Sequence, residues 1–113
     1  MLSGKFRLRK KEEVDLVFHK GKSVSLPEFT FKFLPNAFGT TRIAVLVGKK
    51  LSNKASARNR IRRRLREVAR LNLEQLPQGL DLLIIARSLK LREIDFAELT
   101  GKFLKLASKL PHR

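Results

Sequence analysis

Lys49-Lys50-Leu51-Ser52-Asn53-Lys54-Ala55-Ser56-Ala57-Arg58-Asn59-Arg60-Ile61-Arg62-Arg63-Arg64-Leu65-Arg66-Glu67 holds one acid among many bases and carries a helical apolar period. On a wheel with about 100° per residue, Leu65 and Val68 fall within roughly 40° of Ile61. Asn59, Arg62, Arg63, Arg66 and Arg70 fall on the opposite side, between roughly 100° and 200° away. One face suits a core and the other presents cations to solvent or to a polyanion. Arg58, Arg60 and Arg64 flank the apolar stripe, where their stems lie over core edges while the guanidinium groups stay wet. The spacing predicts a helix over about 55–74, ending before Pro77 and Gly79, with Ser52, Asn53 or Ser56 as its cap.

Working outward, two aliphatic runs flank this helix. Arg42-Ile43-Ala44-Val45-Leu46-Val47-Gly48 reads as a strand rich enough in aliphatics to be central and buried on both sides. Leu80-Asp81-Leu82-Leu83-Ile84-Ile85-Ala86 reads as another buried strand. A helix between two buried strands makes them a parallel βαβ unit, right-handed by the general rule.

Further upstream, Glu28-Phe29-Thr30-Phe31-Lys32-Phe33-Leu34 alternates cleanly, with Phe29, Phe31 and Phe33 on one face and Thr30 and Lys32 on the other. Three core phenylalanines are the plain reading, and a base-stacking platform is the alternative. Pro35-Asn36-Ala37-Phe38-Gly39 reads as a turn, so this strand and the one from Arg42 are expected to pair as an antiparallel hairpin. Val24-Ser25-Leu26 is a candidate short edge strand. Before it, a helix is expected at about 11–19, with Glu12 and Glu13 at its positive dipole end and Val14, Val17 and Phe18 on its apolar face. Gly21 is expected to end it in the left-handed conformation. Residues 1–11 are basic, with Phe6 and Leu8 as anchors. At the other end, Asp95-Phe96-Ala97-Glu98 resembles a capping box. It opens a helix over about 95–109, whose apolar stripe is Phe96, Leu99, Phe103, Leu106, Ala107 and Leu110. Periodicity alone thus gives α-β-β-α-β-α, an α+β sandwich in one domain, residues 1–113.

Composition narrows the function. The 113 residues include 26 bases and 10 acids, a net charge of +16, and 42% are apolar. That excess repels itself in the compact state, and a polyanion would offset it. No apolar run approaches the ~20 residues of a membrane span, the start lacks the apolar segment of a signal peptide, and the absence of cysteine excludes disulfides and thiolate metal sites. A cytoplasmic protein is the simplest fit.

Protein-borne catalysis is hard to build from these residues. His19 and His112 are far apart, and no H-x-x-x-H, G-x-S-x-G or phosphate-cradling glycine loop is present. The acids are scattered and read as structural. The basic helix reads the opposite way. Ordinary solvated faces mix charges into i, i+4 pairs, whereas residues 58–70 hold seven arginines and only Glu67. Pairs such as Arg58/Arg62 and Arg62/Arg66 destabilise an isolated helix by a few tenths of a kcal/mol each. Arginine over lysine fits bidentate phosphate contacts and base stacking. A membrane-surface role is the weaker reading, because the apolar side lacks aromatics and serves the core. Between nucleic acids, a basic helix can enter a DNA groove, but an α+β domain with an extended arginine surface suits RNA.

Arg58-Asn59-Arg60-Ile61-Arg62-Arg63-Arg64-Leu65-Arg66-Glu67 resembles the R-N-R-x-K-R-x-x-R-E signature of the bacterial ribonuclease P protein family, with Lys49-Lys50 as its upstream lysine pair. Leu8 to Phe18, followed by Gly21, looks like the family's opening helix, and Phe29-Thr30-Phe31 and Leu82-Leu83-Ile84-Ile85-Ala86-Arg87 resemble its strands. Arg62 stands for the usual lysine, Val14 for a frequent phenylalanine, Gly48 for a serine, and Ser52-Asn53 where a glycine is common. The resemblance implies an α-β-β-β-α-β-α order with a left-handed βαβ crossover. It also implies a protein subunit, inactive alone, of a ribonucleoprotein that removes the 5′ leader from precursor tRNA. Its partners would be ribonuclease P RNA, which would hold the catalytic Mg²⁺ ions, and precursor tRNA, with no membrane and no obligate protein partner. By position, RNA contacts fall on Lys49, Lys50, Arg58, Asn59, Arg60, Arg62, Arg63, Arg66 and Arg70. A leader cleft falls on Val14, Phe18 and Lys32. A general RNA-binding or ribosome-associated protein without enzymatic coupling is the alternative.

Overall fold

A strand that is apolar on both faces must lie where both faces of a sheet are covered, and the placement of Leu80–Ala86 follows from that requirement. The computed structural model describes residues 4–111. Its elements are α1 (Lys11–Lys20), β1 (Lys22–Ser25), β2 (Phe29–Pro35), β3 (Arg42–Leu46), α2 (Ala55–Leu71), β4 (Leu80–Ala86) and α3 (Phe96–Ala107). Short 3-10 turns lie at Gly4–Phe6, Leu73–Gln75 and Leu89–Arg92. The order is the expected α-β-β-β-α-β-α, an α+β fold. The sheet order is β1-β2-β4-β3. β1 pairs antiparallel with β2, β2 antiparallel with β4, and β3 parallel with β4.

The expected hairpin between β2 and β3 does not form, because β4 inserts between them. β4 is buried at every position but Asp81 and takes the central slot. β3, expected to be central, is an edge strand with only Ile43 fully buried. The turn after β2 is tied to β4 instead: Asn36 N–H donates to the Gly79 carbonyl (2.7 Å), and Asn36 Nδ2 donates to Asp81 Oδ1 (2.9 Å).

The alternation of β2 divides the molecule into two cores. Phe29, Phe31 and Phe33 join Ile43, Leu82 and Ile84 on one face, where Ile61, Leu65 and Val68 of α2 and Leu99, Phe103 and Leu106 of α3 cover them. Phe31 and Phe103 meet edge to face at 5.2 Å, so these rings are core and not a stacking platform. On the other face, Val17 of α1 and Leu8 cover Leu83 and Ile85. Arg42 bolts the smaller core shut. It donates to Asp81 (Nε–Oδ1 2.9 Å, Nη2–Oδ2 2.8 Å) and to Glu13 Oε2 (2.9 Å), joining β3, β4 and α1. Its hydrogen bond to Asp81 holds the guanidinium charged well above its ordinary range, against the cost of burial.

The helix ends differ from expectation. α2 begins at Ala55 after Lys54, with no side-chain cap; the Ser52 hydroxyl accepts from Lys54 N–H (3.2 Å) in the preceding turn. Asp95 flanks α3 without a side-chain cap bond, so the capping box does not close. Gly21 is extended, at φ −71°, and not left-handed. A side chain there is excluded by crowding, since a Cβ would collide with the Val17 carbonyl and lie 3.1 Å from that of Phe33.

Leu65 is fully buried in the larger core. Leu65→Ala should therefore cost roughly 2–5 kcal/mol, read as a lower denaturation midpoint at unchanged slope; wild-type stability would show the helix to be wrongly phased.

Candidate nucleic-acid interface

The wheel drawn on the sequence is the one the fold adopts. Ala57, Ile61, Leu65, Val68 and Ala69 are the buried residues of α2. The arginines around them divide by what they touch. Arg58 Nη1 donates to the Ser52 carbonyl (2.9 Å) and shapes the loop entering the helix. Arg60 Nε donates to the Arg92 carbonyl (2.8 Å), and Arg64 donates to the carbonyls of Leu91 (2.7 Å) and Ile94. Arg60 and Arg64 thus clasp the 3-10 turn at Leu89–Arg92, a role that periodicity placed only as flanking stems. Arg70 is paired with Glu67, whose carboxyl that hydrogen bond holds below its ordinary value.

The outward residues are different. Arg62 Nη1 bonds only to Asn59 Oδ1 (2.7 Å) on the same helix. Arg63 is exposed, and Arg66 half-buried, and neither has a hydrogen bond or ion pair among the described residues. Burial, then the charges of Arg7 and Arg62, push the Arg66 guanidinium below its ordinary value. The helix brings no acid to its first turn, so its positive dipole end adds to this field.

A second feature lies on the α1 side of the sheet. A cleft of about 560 Å³ is lined by Phe18, Leu46, Gly48, Lys49, Lys50, Leu51, Ile85, Ala86 and Arg87, with no acid among them. Lys49 and Lys50 thus connect the cleft to the loop leading into α2. Lys32 does not line this cavity but stands over Phe18. Its Nζ lies 4.4 Å from the ring centroid and donates to the Phe18 carbonyl (2.7 Å). Val14 is not brought to the cleft; it packs against the smaller core with Leu34 and Ala44. Arg87 is a further lining residue that the sequence pattern does not single out. It is exposed, and its Nε reaches Thr30 Oγ1 (3.3 Å). Its only signal in the sequence is a cation directly after a buried strand.

His19 is exposed, its ring edge-on to Phe18 at 5.2 Å, and His112 lies outside the described residues. Among the described residues no three His, Asp or Glu side chains are grouped to hold a metal ion. No described helix is long and apolar enough to cross a membrane. The arrangement can bind phosphates along α2 and hold an unstacked base in the cleft.

The Ribonuclease P family model matches residues 2–111. The ribonuclease P protein component of Petrotoga mobilis is 38% identical over 109 residues, covering 94% of this chain and 92% of that protein. The Thermotoga maritima protein component is 32% identical over 107 residues, covering 92% and 91%. A solved structure of RNase P protein from Thermotoga maritima superposes with a TM-score of 0.83 at 31% identity, over 93% of this chain and 97% of that one. The Staphylococcus aureus RNase P protein, 23% identical, shares the fold at a TM-score of 0.75 over 91% and 93%.

The division of arginines is testable by salt dependence. Arg63→Ala should flatten the dependence of RNA binding on salt by roughly one phosphate contact and leave stability within about 0.5 kcal/mol. Arg64→Ala should lower stability by roughly 1–3 kcal/mol through its lost carbonyl bonds. The reverse pattern would show that the inward and outward sets are interchanged.

Proposed function

The chain belongs to the ribonuclease P protein family, and from that premise we propose that α2 grips the catalytic RNA while the cleft beside α1 takes the 5′ leader of precursor tRNA. It is the protein subunit of ribonuclease P, a ribonucleoprotein endoribonuclease of tRNA 5′ processing. In this reading the ribonucleoprotein forms in the cytoplasm and needs no further protein and no membrane.

The observation that carries the reading is the cleft. An aromatic ring, an apolar floor at Leu46 and Ile85, and the cations Lys49, Lys50 and Arg87 converge there without an acid. A single-stranded leader offers a base to the Phe18 ring and phosphates to those cations. Lys32 fixes the Phe18 backbone and stands on its ring, so it positions the aromatic surface. On the far side of the Lys49-Lys50 loop, Asn59, Arg62, Arg63 and Arg66 face the phosphates of the RNA subunit. Arg58 and Arg60 meet it at the helix N-terminus, where their own-chain bonds hold them in place, and Arg70 lies at the far end.

In this reading the RNA would hold the Mg²⁺ ions, which would supply activation of water for phosphodiester hydrolysis. The best-placed carboxylates of this chain are committed elsewhere: Glu13 and Asp81 to Arg42, Glu67 to Arg70, and Glu28 to Lys102. The protein's own contribution is electrostatic and positional. It screens phosphate repulsion between substrate and ribozyme, and it holds the leader in register.

Mixing the protein with ribonuclease P RNA at low Mg²⁺ tests the reading: cleavage of precursor tRNA should appear with both components and not with protein alone. Phe18→Ala should weaken binding of leader-bearing precursor by roughly 5- to 100-fold, the worth of one stacked base, and leave mature tRNA binding unchanged. Equal losses for both RNAs would remove the leader from the cleft. An RNA subunit unaffected by the protein would favour a general RNA-binding role.

A further inference from the structure

Arg7 belongs to the basic N-terminal segment, and the fold gives it a defined address. It forms a parallel bridge with Ile43, and Leu8 N–H donates to the Ile43 carbonyl (2.8 Å). The N-terminal segment therefore lies along the free edge of β3. Bridged residues project to the same face of a sheet, and successive residues alternate. Ile43 points into the core under α2, whereas Leu8 is buried in the core under α1. Arg7 thus projects toward the α2 side. Arg62 and Arg66 lie one turn apart on that helix, and the charges of Arg7 and Arg62 both bear on the Arg66 guanidinium.

This cluster differs from every structural arginine near it. Arg42, Arg58, Arg60, Arg64 and Arg70 each have an oxygen of another residue in a different turn, strand or carboxylate. The Arg7 and Arg66 side chains, both half-buried, have no hydrogen bond or ion pair among the described residues, and Arg62 has only Asn59. Like charges gathered in a partly desolvated place, without an acid, oppose folding of the free chain. A phosphate oxygen pair would satisfy two guanidinium forks at once.

We propose that Arg7, Arg62 and Arg66 form one composite site for a single phosphodiester of the ribonuclease P RNA, making the N-terminal segment part of the RNA surface. The proposal rests on the reading that the outer face of α2 meets that RNA. It adds a contributor outside the helix, and it makes three cations act on one phosphate.

Arg7→Gln tests it, because glutamine keeps much of the stem and the backbone bridge while removing the charge. Free Arg7→Gln should melt about 1–2 °C higher than wild type, since a like-charge repulsion is relieved. Its affinity for ribonuclease P RNA should fall roughly tenfold, with the salt dependence flattened by about one contact. Arg66→Gln should do the same, and the double variant should flatten the slope no further than about one. A lower melting temperature for free Arg7→Gln, an unchanged salt slope, or slopes that add to two in the double variant would each overturn the composite site. Arg63→Ala, outside the cluster, separates the two failures. If its slope flattens while that of Arg7→Gln does not, only the composite site falls; if neither flattens, the RNA-facing reading of α2 falls with it.

Discussion

Seating Ile61, Leu65 and Val68 in the core beside Leu82 and Ile84 is the constraint on which the rest depends. An isolated helix with seven arginines and one glutamate in residues 58–70 would be opposed by its own charges. Burial of the apolar stripe, at about 1.5–3 kcal/mol per large aliphatic side chain, outweighs repulsions of a few tenths each. Once the stripe is seated, the azimuth of every cation follows. The proposed RNA surface is therefore a by-product of core packing, displayed on a helix whose inner face is fully buried.

That geometry also explains why so many arginines are not redundant. A guanidinium that projects sideways from the helix finds backbone carbonyls, as Arg64 does at Leu91 and Ile94 and Arg60 does at Arg92. These bonds join α2 to the turn that leads into α3, and they come from two separate nitrogens of one planar fork, a geometry that lysine's compact ammonium lacks. One that projects outward, as Arg63 does, finds only water until a polyanion arrives. The same residue type therefore does two jobs, and the difference lies in angle alone.

Much of this was legible in the residues. The 3.6 period of α2, the two-residue period of Phe29, Phe31 and Phe33, and the unbroken apolar run Leu82–Ala86 each correspond to a buried face. What local pattern could not supply was partnership between strands. β3 and β4 both read as aliphatic and buried, and only competition for the central position separates them. β4 takes it because Leu80 and Leu82–Ala86 are apolar on both faces, while β3 starts at the charged Arg42 and leaves Leu46 exposed. The candidate site was legible where it lies on a regular element and less so elsewhere. Phe18 and Lys32 are 14 residues apart, and their contact depends on α1 lying across β2. Val14 has the right helical phase for the cleft but turns into the smaller core beside Leu34 and Ala44. Arg87 escaped because a lone cation after a strand carries no periodic signal. The handedness of the crossover is likewise invisible to periodicity.

The sheet order β1-β2-β4-β3 has a consequence for how the chain is born. Its central strand is its last, so β2 and β3 wait for a shared neighbour that ends at residue 86. During synthesis from the N-terminus, the phenylalanines of β2 and 19 of the 26 basic side chains, all those of α2 included, emerge before the strand that organises them. The domain cannot fold in instalments: the contacts that bury the core join distant parts of the chain, and they close together or not at all. Until β4 and α3 have both emerged, the nascent segment is a polycation with its phenylalanines uncovered, and their arrival separates its apolar face from its charged one.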